Sequence, residues 1–113
     1  MKIAGSLTGI LILILVDNDA THNFISPQLV RFLGFPARNP QRMRIQLGDE
    51  YIAWSQGLYS QLPLSIGDYT CLVDVHILDI GGLDLILGVA WLRTLGDVHT
   101  NWQSMVRKFT VDN

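Results

Sequence analysis

Short apolar runs separated by glycine-containing turns dominate the chain, and few segments have a helical period. This pattern predicts an all-β or mostly β domain. The clearest element is a hairpin of residues 2–7 and 10–17, because Thr8 and Gly9 separate the two runs by the length of a tight turn. The second run contains seven consecutive apolar residues. We therefore expect that strand to be buried on both faces and to end at Asp17.

Further strands are predicted where apolar and polar residues alternate and where short apolar runs recur. They cover residues 42–47, 51–54, 62–67, 70–78, 83–88 and 105–111. The turn at 48–50 joins the first two into a second hairpin, whose mixture of polar and aromatic residues indicates partial exposure. Gly67 and Asp68 form the turn between the next two strands. Strands therefore follow strands along most of the chain.

Two short helices interrupt this series of strands. In residues 26–34, Ser26 is a suitable N-cap, Pro27 occupies the first helical position and Gly34 follows the end. The apolar face of this helix carries Leu29, Val30 and Leu33. A second short helix is predicted over residues 89–96, which end in a glycine.

The composition fits one globular domain covering residues 1–113. Apolar residues make up 49% of the chain and charged residues only 16%, which is little polarity for a monomer with all of its surface in water. We therefore expect a partner to cover part of the surface. The net charge is -2 and basic residues form no cluster, so nucleic-acid binding is not expected. Cys71 has no cysteine to pair with and is expected in the core.

The apolar stretch of residues 10–16, which follows the basic residue Lys2, also has the length of the apolar core of a secretory signal. The residues after it are Asp17, Asn18 and Asp19 rather than the small residues of a cleavage site. A run of seven apolar residues is also too short to span a bilayer. We therefore expect a soluble, intracellular and cytoplasmic protein that does not insert into a membrane.

Two carboxylates follow this apolar strand directly, and their spacing has more than one chemical interpretation. Asp17, Asp19 and Thr21 fit the Asp-x-Asp-x-Thr pattern of haloacid-dehalogenase phosphatases, in which a nucleophilic and an acid/base aspartate coordinate magnesium. That fold alternates strands and helices around a parallel sheet and needs a later lysine and a second acidic pair. The lysines here are Lys2 and Lys108, and no acidic pair follows. A phosphatase fragment is therefore a remote alternative.

Metal sites of other kinds do not fit the spacing. In a calcium-binding loop, His22 would occupy the position of the sharp-turn glycine and Gln28 that of the bidentate glutamate. A zinc site needs three or four ligands close together, whereas His76 and His99 lie in separate segments. We therefore predict no metal and no cofactor, and expect His22 to cap or hydrogen-bond a turn.

Two motifs point to one family. The strand that ends at Asp17 is followed by the sequence ATHNFI at residues 20–25, and LILG at residues 85–88 stands shortly before a Trp-Leu pair. With these motifs, residues 3–109 resemble the retropepsin-type aspartic protease domain of plant gypsy-type LTR retrotransposon polyproteins. In that family the LILG-type strand packs under the aspartate turn, and its glycine lets the two backbones approach closely.

The resemblance implies a mostly β, closed barrel half with one or two short helices, which becomes active as a homodimer. Asp17 would be the catalytic residue, because the family brings one aspartate from each subunit to the dimer axis, where the two share a proton and activate water. The substrate would be an extended peptide or polyprotein segment. The active-site turn would comprise Asn18, Asp19, Ala20 and Thr21, supported by Leu87 and Gly88. The flap over the substrate cleft would include Gly48, Asp49, Glu50, Tyr51 and Trp54.

The chain departs from the family in the active-site turn, because the usual Asp-Ser/Thr-Gly sequence is here Asp17-Asn18-Asp19. A hydroxyl at the second position locks the two subunits' turns together, and glycine at the third lets its amide approach the catalytic carboxylate. The resemblance therefore implies a weakened or inactive protease. Asp19 could reduce the crowding of carboxylates by adopting a positive φ and turning outward. The alternative function is a catalytically silent module for peptide binding or dimerisation.

Structural roles are the simpler interpretation of several other residues. Trp91 and Trp102 are expected in the core, whereas for Trp54 the core and the cleft are both left open. Asp74 and Asp79 are expected to be solvated residues of a strand and of the loop after it.

Overall fold

The computed structural model of the protein describes residues 1–34, 41–47 and 51–92. Several predicted features lie outside these residues, namely the turn at 48–50, the strand at 105–111, Gly96, His99 and Trp102. No helix among the described residues is long and apolar enough to cross a membrane.

The described residues form a mostly β fold, as predicted. The strands are β1 (Lys2–Leu7), β2 (Ile10–Val16), β3 (Phe24–Ile25), β4 (Met43–Leu47), β5 (Tyr51–Ser55), β6 (Leu58–Ile66), β7 (Tyr69–Ile77) and β8 (Leu85–Leu87). The helices are α1 (Pro27–Leu33) and α2 (Val89–Leu92). Six strands close a barrel in the order β1-β2-β8-β3-β7-β6, and β4 and β5 form a separate two-stranded sheet. A helix-flanked parallel sheet is thereby excluded, and with it the phosphatase interpretation.

The first hairpin confirms the predicted pairing but not the predicted burial. β1 and β2 pair antiparallel from Lys2 opposite Leu15 to Leu7 opposite Ile10. Alternate residues of β2 enter the core, and these are Ile12, Ile14 and Val16. On the other face Leu11 is 79% exposed. The prediction of burial on both faces was wrong because a barrel wall is a single layer, so one face of each strand points inward and the other points outward.

The predicted first helix is confirmed together with its caps. The Ser26 hydroxyl accepts a hydrogen bond from the Gln28 amide at 3.2 Å, and Pro27 begins the helix. Gly34 ends it with a φ of 73°, and its amide donates to the Val30 carbonyl oxygen at 3.1 Å. The positive φ explains why glycine follows the helix.

The hairpin of β6 and β7 turns at Gly67 as predicted and contains a register shift between Tyr59 and Leu62. At this irregularity Gln61 has a φ of 58°, and its amide donates to the exposed Asp74 carboxylate at 2.9 Å. Asp74 is therefore solvated as expected, and it also satisfies an amide that the irregular pairing leaves without a strand partner.

The core fills the barrel with aliphatic side chains from all six of its strands, and α1 and α2 cover one part of it. Trp91 is 1% exposed in this core, which confirms its predicted burial. Cys71 packs against the core and is partly buried. Burial raises the pKa of the Cys71 thiol, while a hydrogen bond with the Trp91 side chain acts in the opposite direction.

Candidate active site

The turn that follows β2 is fastened to β8 at both of its ends. The Asp17 amide donates to the Leu87 carbonyl oxygen at 2.9 Å, which continues the parallel pairing of β2 with β8. The Val89 amide donates to the Ala20 carbonyl oxygen at 2.7 Å. Within the turn, the Ala20 amide donates to the Asp17 carbonyl oxygen at 3.2 Å. The backbone around Asp17 is therefore fixed by a strand from the other end of the described chain.

The Asp17 carboxylate is oriented by the turn itself. Its Oδ1 accepts a hydrogen bond from the Asp19 amide at 2.9 Å. Asp19 makes this contact without a positive φ, since among the described non-glycine residues only Thr8 and Gln61 have one. A side chain at the third position therefore does not prevent its amide from reaching the first carboxylate. The Asp19 and Asn18 side chains are both exposed.

Gly88 confirms the predicted close approach of two backbones. A Cβ atom built on Gly88 would lie 2.5 Å from the His22 carbonyl oxygen and would also collide with the Ala20 carbonyl oxygen. Real side chains essentially never approach to less than 3.0 Å. Glycine at this position therefore lets β8 lie directly under the turn.

Asn23 is a buried polar residue whose role the sequence did not reveal. It is 5% exposed, and its Oδ1 accepts a hydrogen bond from the Gly88 amide at 2.9 Å. Its Nδ2 donates to the Asp74 carbonyl oxygen at 3.1 Å. The one signal in the sequence is an amide side chain directly before the apolar pair Phe24 and Ile25, because a polar residue that enters a core needs partners there.

A cleft with a volume of about 910 Å³ opens above the turn. Its described lining comprises acidic, polar and apolar residues, namely Asp17, Asp19, Ala20, Thr21, His22, Phe24, Gln46, Leu78, Asp79, Ile80 and Ile86. Four of the predicted site residues, Asp17, Asp19, Ala20 and Thr21, are thus together on this lining. The described lining thus combines carboxylates with apolar side chains.

The predicted flap corresponds to the hairpin of β4 and β5. Gln46, which was not among the predicted site residues, is the described residue of this hairpin that lies on the cleft lining. Trp54 is 53% exposed and is not among the described lining residues. The Arg42 guanidinium lies 5.2 Å from the centre of the Trp54 ring, which is a cation–π distance. Gly48, Asp49 and Glu50 lie outside the described residues, as does the Tyr51 side chain.

Three rings form a cluster at the wall of the cleft, and two of them, His22 and Phe24, lie on its lining. The centre of the His76 ring lies 5.1 Å from that of His22 and 6.2 Å from that of Phe24. His76 is 8% exposed, and no described residue provides a hydrogen-bond partner for its buried Nδ1. Burial, and then the neighbouring His22 ring, lower the pKa of His76, whereas Asp74 acts in the opposite direction. Burial of His76 therefore favours its neutral form.

Local hydrogen bonds engage three other polar residues of the cleft lining, Thr21, His22 and Asp79. The Thr21 hydroxyl and the His22 Nδ1 lie 2.9 Å apart, so His22 hydrogen-bonds within the turn as expected. Asp79 is exposed, and its carboxylate accepts a hydrogen bond from the Gly81 amide at 3.1 Å, which stabilises the loop after β7. Among the described residues, no group of three His, Cys, Asp or Glu side chains could hold a metal ion.

Comparison with known proteins agrees with this geometry. Residues 5–113 match the family described as retroviral aspartyl protease. A search of curated proteins found no match. Among solved structures, the fold is similar to that of the retroviral protease-like domain of Ddi1 from Leishmania major, with a TM-score of 0.65, 15% sequence identity and coverage of 83% of this chain and 75% of that chain. The predicted retropepsin-like fold is thereby confirmed. The chain belongs to the retroviral aspartyl protease family.

Proposed function

We propose that this domain is one half of an aspartic endopeptidase that cleaves extended peptide or polyprotein segments as a homodimer, with an activity lowered by its Asp-Asn-Asp turn. The observation that carries the proposal is the position of Asp17, whose carboxylate lies on the cleft lining and accepts the Asp19 amide at 2.9 Å. We also propose that the domain derives from a plant gypsy-type LTR retrotransposon polyprotein, on the basis of the ATHNFI and LILG motifs.

The reaction needs two Asp17 carboxyl groups on opposite sides of one water molecule. The ionised carboxylate takes a proton from the water as the water oxygen bonds to the peptide carbonyl carbon, while the protonated partner transfers its proton to the carbonyl oxygen. In the resulting tetrahedral diol the nitrogen takes a proton from the dyad, the C–N bond breaks, and one diol hydroxyl returns its proton to the dyad, which leaves a carboxylic acid and an amine. Two carboxyl groups that share one proton can supply both functions, so one subunit alone has half of the required chemistry.

The altered turn lowers activity through charge rather than through loss of the amide contact. The Asp19 amide already reaches Asp17. The exposed Asp19 carboxylate, however, would add one negative charge per subunit close to the dimer axis. At a separation of roughly 5 Å and an effective dielectric constant near 20, each like-charged pair costs on the order of 3 kcal/mol. The Asn18 amide also replaces the hydroxyl that locks the two turns together in the family.

A second candidate function is supported by the same exposed Asn18 and Asp19 side chains. A catalytically silent domain would retain the barrel and the cleft, and would bind an extended peptide or dimerise without cleaving. The cleft of about 910 Å³ and its apolar walls are compatible with this function.

A transition-state mimic separates the two candidates. A pepstatin-like inhibitor places a hydroxyl between the two aspartates, so it binds tightly only to a working dyad. We expect it to raise the melting temperature of the wild-type domain and not that of Asp17→Asn. Cleavage of a peptide library by the wild type, abolished in Asp17→Asn, would support the protease. Peptide binding that is equal in both proteins, with no cleavage and no inhibitor effect, would support the silent module.

A further inference from the structure

We infer that Asn23 is a positioning residue, which holds Gly88 under the Asp17–Ala20 turn and couples that turn to β7. For its catalytic consequence this inference rests on the proposed function. Asn23 is not among the described residues that line the cleft. It would therefore act on Asp17 indirectly, through the backbone of β8.

The side chain of Asn23 joins two segments that do not pair with each other. Its Oδ1 accepts from the Gly88 amide at 2.9 Å, and its Nδ2 donates to the Asp74 carbonyl oxygen at 3.1 Å. Its own carbonyl oxygen accepts from the His76 amide at 2.9 Å. Asn23 thus bonds to β7 through both its side chain and its backbone, and to the end of β8 through its side chain.

Gly88 transmits this contact to the catalytic turn. It lies too close to the Ala20 and His22 carbonyl oxygens to accept any side chain. The residues on either side of it, Leu87 and Val89, make the two hydrogen bonds that fasten the turn at Asp17 and at Ala20. A displacement of Gly88 would therefore move both fastening points together.

An amide is well suited to this position because it offers one acceptor and one donor at the same time. Leucine has a similar size but would leave the Gly88 amide and the Asp74 carbonyl oxygen without their partner. Aspartate would still accept from the Gly88 amide but could not, when ionised, donate to the Asp74 carbonyl oxygen. Comparison of the two variants therefore separates the link to Gly88 from the link to β7.

The experiment uses Asn23→Leu and Asn23→Asp in the full chain, each with and without the reverting pair Asn18→Ser and Asp19→Gly. Asp84→Asn is the matched control, since the partly buried Asp84 directly precedes β8 and accepts a hydrogen bond at 2.8 Å from the amide of Leu13 on β2. The readouts are peptide cleavage and the hydrogen-exchange rates of the Asp17 and Val89 amides, measured at equal distance below each variant's melting temperature.

In the reverted background we expect Asn23→Leu to lower kcat on the order of 10- to 100-fold with little change in KM, because a small displacement of a catalytic group has an effect of this size. Asn23→Asp should lower kcat less, since Gly88 keeps its acceptor. Exchange of the Asp17 and Val89 amides should accelerate in Asn23→Leu and not in Asp84→Asn. If Asn23→Leu does not fold, Asn23→Ser replaces it with the same expectations.

Equal kcat and equal exchange rates in Asn23→Leu and Asp84→Asn would overturn the inference. Failure of the proposed function has a different signature. In that case no background cleaves peptide, yet the exchange rates still decide whether Asn23 holds the turn, because they require no activity.

Discussion

The Asp19 amide donates a hydrogen bond to the Asp17 carboxylate at 2.9 Å although Asp19 carries an exposed carboxylate side chain of its own. This backbone contact is therefore present with the Asp19 side chain in place. The proposed loss of activity rests on the side chains of Asn18 and Asp19, so substitution of these two residues tests it.

Reversal of the turn is the first prediction. The double substitution Asn18→Ser and Asp19→Gly should raise kcat/KM for an extended peptide substrate, because it restores a hydroxyl and removes one negative charge per subunit. Asp19→Gly alone should give more of the gain than Asn18→Ser alone, since each like-charged pair costs on the order of 3 kcal/mol. Fluorogenic peptide cleavage at several pH values measures this. Asp17→Asn added to the double variant is the control and should abolish cleavage. No gain in the double variant would place the defect outside the turn.

Dimerisation provides the second prediction. Two copies that meet through this turn bring two Asp17 and two Asp19 carboxylates together, so protonation should favour association. We expect the association constant to rise between about pH 7 and about pH 4, where carboxylates begin to lose their charge. Sedimentation equilibrium at both pH values measures the change, with circular dichroism to verify that the protein stays folded. The variant Asp19→Asn should show a smaller pH dependence. Equal association constants at both pH values in the wild type would contradict the prediction.

Substitution of Gly88 provides the third prediction. Gly88→Ala should lower the free energy of unfolding by about 1–3 kcal/mol or more. The methyl group of the alanine would collide with the carbonyl oxygens of Ala20 and His22, and the Ala20 backbone is held by hydrogen bonds. Gly82→Ala is the control, since a Cβ there has no atom within 4 Å and Gly82 has no positive φ. That control should change stability by less than about 0.5 kcal/mol. Urea unfolding measures both variants, and similar values for the two would contradict the close approach.

His76 provides the fourth prediction, which concerns the pH dependence of stability. Its pKa is lowered in the folded protein, mainly by burial and then by His22, so the unfolded chain binds a proton more readily. The free energy of unfolding should therefore be fully retained above the ordinary histidine value of 6.5 and should decrease as the pH falls below it toward the pKa of the folded state. Urea unfolding between pH 7.5 and 5 measures this slope.

The control for this slope is His76→Phe, which keeps an aromatic ring beside Phe24 but cannot take up a proton. The stability of this variant should depend less on pH in the same range, even if its stability at neutral pH differs from that of the wild type. If the two proteins have the same slope, protonation of another group is responsible.

Local sequence signals predicted much of the fold. The first hairpin, the capped helix α1 and the hairpin of β6 and β7 each carry their turn or cap residues within a few positions of the element. The two-residue strand β3 was not predicted, because its strand conformation depends on pairing with β7 and β8 rather than on its own pattern. The outward face of β2 was wrongly predicted to be buried. The number of apolar residues in a strand does not show whether other layers of the protein cover one face of it or both.

The residues of the candidate site were likewise predicted only in part. Asp17 and Gly88 could be selected from motifs, and the structure brings both to the same turn, since the Asp17 amide bonds to Leu87 and Gly88 packs against the Ala20 carbonyl group. Asn23 and Gln46 were not selected, because their importance comes from distant partners and from the position of a hairpin relative to the barrel. The burial that favours the neutral form of His76 was not predicted either, because an isolated histidine in an alternating strand is compatible with either face.

The hydrogen bond between Asn23 and Gly88 joins positions 65 residues apart, and this separation has a consequence during synthesis. While a ribosome is still translating the region before β8, the aspartate turn has emerged but lacks the strand that fastens it. Contacts between such distant positions form late and slowly. A prematurely terminated chain that ends before β8 would therefore contain the Asp17 turn without the strand that fastens it.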